Sequence, residues 1–148
     1  YRRQRQMCIR DRVPAAVAWV ALGGAIGTSA RVAVTEAIAP TLAATLTINV
    51  LGAFLLGALL TALEGGEDGG GRNHDEGRRR QRARLLLGTG VCGGFTTYSL
   101  IALQAATLTR AGDGPAALAY CVVTLVLGAV ATTLGMVLAA VARRGTPS

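Results

Sequence analysis

Gly93-Gly94-Phe95-Thr96-Thr97-Tyr98-Ser99-Leu100-Ile101 lies inside an uncharged run from Leu85 to Thr109, bounded by Arg84 and Arg110. At about 1.5 Å per helical residue the run is long enough to cross a hydrocarbon core of roughly 30 Å. Its middle nonetheless holds paired glycines, paired threonines, a tyrosine and a serine. Gly costs about 1 kcal/mol in a helix interior relative to Ala, and two β-branched threonines add to that. The pattern therefore predicts a spanning helix that carries its own breaker at mid-depth. Unwound backbone at that depth is tolerated only when buried in protein or lining a wet cavity. Freed carbonyls there would suit a cation, and the hydroxyls would line a path.

The remainder of the chain fits a membrane setting. Of 148 residues, 51% are hydrophobic and only 16% are charged, which is too apolar for an ordinary soluble domain. The net charge of +7 comes from arginines clustered at the ends of apolar runs, without interleaved aromatics. That arrangement marks positive membrane flanks rather than a nucleic-acid surface. Cys92 and Cys121 fall inside apolar runs and read as small hydrophobes.

Four spans are expected, at about 13–30, 41–63, 85–109 and 115–142, within one four-helix transmembrane domain covering 13–144. Residues 1–12, YRRQRQMCIRDR, resemble translated sequencing-adapter sequence and are set aside as a non-native basic extension; a native basic arm is the alternative. The first span contains Gly23-Gly24-Ala25-Ile26-Gly27, small residues that let helix backbones approach closely in lipid. Arg31 and Glu36 near its end read either as interfacial residues, with Arg31 snorkelling, or as a structural ion pair. In the second span Thr41, Thr45 and Asn49 recur every four residues and share a face. Asn49 near mid-span reads equally as interhelical glue or as a donor to a permeating anion. Residues 64–84 form a Gly-rich, charge-dense stretch expected to be a flexible loop, with His74 solvated within it, and 145–148 form a short tail. In the fourth span Tyr120, Thr124, Gly128 and Thr132 make a polar or small stripe, either a packing seam or a hydroxyl ladder.

An even number of spans puts both ends on one side. With that side inside, the central stretch and tail carry eight arginines, against Arg31 and Arg110 on the outer connections. The bias argues for cytoplasmic termini. No catalytic constellation or phosphate loop is apparent, so no enzyme activity is expected. Four short helices cannot enclose a wide aqueous path alone, so an oligomer is expected.

Three motifs together resemble the Fluc (CrcB) fluoride channel family: Gly23-Gly-Ala-Ile-Gly27 with Arg31, Thr45-Leu-Thr-Ile-Asn49-Val-Leu-Gly52, and Gly93-Gly-Phe-Thr-Thr-Tyr-Ser99. The resemblance implies an all-α membrane protein, four transmembrane helices with the third broken at mid-membrane, assembled as an antiparallel dimer in the cell membrane. It implies passive fluoride export, with a structural Na+ at the dimer centre held by the Gly93 and Thr96 carbonyls. It places Asn49, Thr45, Tyr98, Ser99, Tyr120 and Thr124 on the fluoride path. Ile101 stands where the family often has a second pore phenylalanine, and Gly128 lacks the hydroxyl usual at its position. The arginine bias adds a further expectation: one orientation, and so a pairing with a related, oppositely oriented subunit as the alternative to a homodimer. A small four-helix multidrug transporter would need a carboxylate at mid-depth, which is lacking here; a non-transporting structural subunit would need no break.

Overall fold

The structure, a computed structural model, describes residues 2–38, 41–64 and 74–144. It is all-helical there. Helix α1 runs Arg2–Ile38, α2 Leu42–Glu64 and α3 His74–Ala83; a π-helical segment, Arg84–Cys92, leads into α4 at Gly93–Phe95; α5 is Tyr98–Arg110 and α6 is Gly114–Arg144. Four stretches are long and apolar enough to cross a membrane: Val13–Ile38, Leu42–Leu63, Asp75–Arg110 and Gly114–Arg144. The chain is a multi-pass membrane protein.

Several boundaries differ from the sequence reading. The first span extends to Ile38, which puts Arg31 and Glu36 within α1 rather than beyond it. Pro14 lies inside that helix, removing one backbone bond where the arginine-rich arm meets the apolar run. Residues 74–83, expected as loop, are helical. Asp75 and Glu76 occupy the first turn, where negative charge suits the helix N-terminus. Arg78 and Asp75 add an exposed ion pair at 3.6 Å. The central part of that stretch, 65–73, and the tail at 145–148 lie outside the described residues.

The packing order follows from contacts between named residues. Trp19 meets Arg82, Gly23 meets Gly90, and Gly27 meets Val91, so α1 runs parallel to the third span. Leu56 and Leu59 lie near Gly88, Gly52 near Thr96, and Thr45 near Gln104, so α2 runs antiparallel to it. The turn at Ala111–Asp113, with Gly112 at a positive φ of 86°, returns the chain into α6. Both ends of the membrane domain therefore share one face with α3.

Glycine, not bulk hydrophobicity, holds these helices together. A Cβ on Gly90 would come within 2.8 Å of the Gly23 Cα, and one on Gly57 would overlap the Thr132 carbonyl oxygen. Backbones meet directly at both places, as lipid-embedded helices require. The third span is π-helical where an α-helix was expected, and this wider turn lies where Gly90 enters the α1 groove. Large core side chains are scarce; Ile48, at 1% exposure, is the largest fully buried one.

Gly57→Ala should destabilise the fold by about 1–3 kcal/mol through overpacking against Thr132. Gly128→Ala, where an added Cβ meets nothing within 4 Å, should be near neutral. Thermal unfolding of the two variants in detergent checks the difference.

Candidate functional site

Helical geometry stops at two residues. Thr96 has φ −74° and ψ 156°, and Thr97 has φ −145° and ψ 120°, both extended. β-branched side chains favour such angles. The α4 side closes on Cys92, whose carbonyl accepts from the Thr96 amide at 3.0 Å and the Thr96 hydroxyl at 2.9 Å. The α5 side is capped by Thr97, whose hydroxyl accepts from the Leu100 amide at 3.3 Å and pairs with the Ser99 hydroxyl at 3.1 Å. A threonine cap of this kind is worth about 1 kcal/mol.

Asn49 spans the gap from α2. Its Oδ1 accepts from the Thr97 amide at 2.7 Å, and its Nδ2 donates to the Thr97 carbonyl at 3.0 Å. One side-chain amide thus satisfies both backbone groups of a residue that is only 5% exposed. Leaving either buried group unpaired would cost about 1–3 kcal/mol. Asn49 therefore acts as interhelical glue, and its second Nδ2 hydrogen is not used by Thr97.

The same contacts redirect donors. In an α-helix the Thr97 amide would bond to the Gly93 carbonyl, and the Leu100 amide to the Thr96 carbonyl. Here those donors go to Asn49 and to the Thr97 hydroxyl. Gly93 and Thr96 thus lose their customary helical partners. Neutral carbonyl oxygens suit a hard cation. The described residues contain no cluster of three His, Cys, Asp or Glu that could serve instead.

A second polar group sits one turn back along α2. Gln104 donates from Nε2 to the Thr45 hydroxyl at 2.9 Å and accepts at Oε1 from the Tyr120 hydroxyl at 2.6 Å. It also reaches the Thr41 carbonyl at 3.4 Å. Gln104 ties α2, α5 and α6 together. The sequence reading missed it, although an amide in an uncharged span invites the question already asked of Asn49. Thr124 is buried, and its hydroxyl donates to the Tyr120 carbonyl at 2.7 Å. With Ala117, Ala131 and Gly135 it forms the buried face of α6.

The structure brings Asn49 and Ser99 together around Thr97, and Thr45 and Tyr120 together around Gln104. It does not bring Tyr98 into either group: its ring is 83% exposed on the single chain. Arg31 stands beside Ser99 instead. With Val32, Thr35, Glu36 and Leu100 they line an open recess of about 290 Å³. Arg31 and Glu36 form no ion pair there, and the Arg31 Nε is buried without a hydrogen-bond partner.

An all-helical membrane domain with a polar seam through its middle and small-residue contacts defines the class. The family model described as "CrcB-like protein, Camphor Resistance (CrcB)" matches residues 18–136. A protein of Leifsonia xyli named fluoride-specific ion channel FluC 2 is 46% identical over 132 residues, covering 85% of this chain and 86% of its own. The fluoride-specific ion channel FluC of Deinococcus radiodurans is 41% identical, covering 82% and 93%. That of Thermus thermophilus is 37% identical, covering 78% and 88%. The chain belongs to the CrcB family of fluoride channels.

Gln104→Leu should remove the acceptor of the Tyr120 hydroxyl and one donor to the Thr45 hydroxyl, which keeps its 3.4 Å bond to the Thr41 carbonyl, and lower stability by about 1–3 kcal/mol. Gln104→Glu, which keeps an acceptor for Tyr120 but sets a carboxylate against the Thr41 carbonyl in an apolar span, should lose at least as much. Unfolding midpoints of the two variants, compared in one detergent, check the order.

Proposed function

We propose that this chain forms a fluoride-specific channel in the cell membrane, passing F− passively out of the cytoplasm and so lowering cellular fluoride. The observation that carries this reading is the Asn49–Thr97 clamp. It sets an amide, two hydroxyls and interrupted backbone side by side on apolar helices. The relatives' names point to the same ion.

Fluoride is small and strongly hydrated, so it gives up water only to closely spaced donors. In this reading Ser99 and the second Asn49 N–H meet the ion at the interruption, which lies at mid-membrane. Thr45, Tyr120 and Thr124 continue the track along α2 and α6, each turning its hydroxyl hydrogen to the passing ion from the acceptor it holds otherwise, the Thr41 carbonyl, Gln104 and the Tyr120 carbonyl respectively. Each contact is individually weak, and multi-site weak binding lets an ion leave again. Arg31, with its unpartnered Nε in the Ser99 recess, offers positive potential at one mouth without clamping the ion.

The working unit in this reading is an antiparallel dimer. Tyr98 is a large ring exposed beside the interruption, and a second subunit would cover it. Ring edges carry partial positive charge and can face an anion. Two carbonyls per chain, from Gly93 and Thr96, are too few for a cation; two subunits supply four. A Na+ held there would contribute fixed positive charge and fasten the two chains. The eight-to-two arginine bias favours a fixed orientation, hence pairing with a related subunit of opposite orientation over a homodimer.

Protein reconstituted in fluoride-loaded liposomes, together with any such partner, should release fluoride to an electrode far faster than empty vesicles. Release equal to empty vesicles would refute the channel reading. Asn49→Asp should abolish flux, because a carboxylate repels both the anion and the Thr97 carbonyl. Tyr98→Ile should reduce flux while the assembly stays intact by gel filtration; undiminished flux would remove the ring from the path.

A further inference from the structure

The cytoplasmic end of the bundle carries a second recess that the fluoride path does not use. It holds about 190 Å³ and is lined by Ala15, Trp19, Arg78, Gln81, Arg82 and Leu85, between α1 and α3. The Arg82 guanidinium stands over the Trp19 ring, 5.9 Å from its centroid. Such stacking orients the guanidinium plane and leaves its N–H groups to meet an anion. Arg78 contributes a second guanidinium, which also pairs with Asp75 at the surface. Gln81 adds an amide donor.

The other half of the lining is apolar. Ala15 lies in the first apolar run, and Leu85 begins the uncharged run of the third span. Trp19 between them has the amphipathic ring that settles at headgroup level. Guanidinium and amide donors above, with methyl and leucine surface below, match a molecule that is phosphate at one end and hydrocarbon at the other. The recess opens on the arginine-rich face, which the charge bias puts in the cytoplasm, where anionic lipid is attracted to basic clusters.

We propose that this recess is a binding site for the headgroup of an anionic phospholipid in the inner leaflet. Arg82 and Arg78 hold the phosphate, Trp19 fixes the depth, and the acyl chains run along Ala15 and Leu85. A soluble phosphate ester would satisfy the arginines but leave the apolar lining uncovered. A bound lipid would brace α3 against α1.

Trp19 is the sole tryptophan of the chain and reports on its own neighbours. The intact protein is placed in vesicles of constant mixed composition, with brominated acyl chains carried either by phosphatidylglycerol or by phosphatidylcholine. Brominated phosphatidylglycerol should quench Trp19 with an apparent preference on the order of tenfold. The preference should fall about fivefold in Arg82→Gln and stay unchanged in Arg110→Gln at the opposite end. Equal quenching by both lipids in the unmodified protein would overturn the proposal, whatever the variants do. So would a preference that survives Arg78→Gln with Arg82→Gln in a correctly folded protein. Suppression of the preference by millimolar glycerol phosphate would assign the recess to soluble phosphate esters and overturn the lipid site.

Discussion

A single side-chain amide holds this structure open. Asn49 takes both backbone groups of Thr97, so two extended residues can lie between α4 and α5 without an unpaired buried group at Thr97. The alternative, a continuous helix through Thr96 and Thr97, would satisfy the backbone internally and strand Asn49 in an apolar span. The two outcomes are coupled: α2 supplies the partner that the third span needs, and the third span supplies the partner that Asn49 needs. Everything polar nearby follows from that exchange. Thr97 becomes a cap, Ser99 pairs with it, and the Gly93 and Thr96 carbonyls are released from helical duty.

The surrounding bundle exists to keep that exchange in register. Gly23 and Gly90 let α1 press on the π-helical segment, and Gly57 lets α2 press on α6. Contacts this close leave little tolerance for sliding, so Asn49 and Thr97 stay opposed. Gln104 adds a second cross-tie one turn along α2, joining three helices through Thr45 and Tyr120. The single chain buries few large side chains, and long apolar faces on α1, α5 and α6 remain outward. Those faces are apolar enough to meet lipid.

Much of this was legible in the sequence, because membrane constraints are severe. Four apolar runs and arginine flanks implied four spans, and Gly-Gly-Phe-Thr-Thr announced a conflict with helix propensity. Asn49 was identifiable because a lone amide in hydrocarbon needs a partner. Its partner was not identifiable, since the link to Thr97 spans 48 residues and depends on helix packing. Gln104 was overlooked beside an apolar face, though the same reasoning applied to it. The helical start of the third span at His74 was hidden by glycine and charge, which suggest flexibility until Asp75 and Glu76 are seen to suit the first turn of a helix. The π-helical turn had no signature beyond glycine spacing, because it arises where α1 packs.

The break between α4 and α5 depends on where the Thr97 amide sends its hydrogen bond. Solid-state NMR on protein in lipid, with 15N at Thr97 and 13C at either the Asn49 side-chain carbonyl or the Gly93 backbone carbonyl, measures that choice. Strong dipolar coupling from the Thr97 nitrogen to the Asn49 carbonyl carbon, and weak coupling to Gly93, is the expected result. The reverse pattern would show an uninterrupted helix and contradict the account.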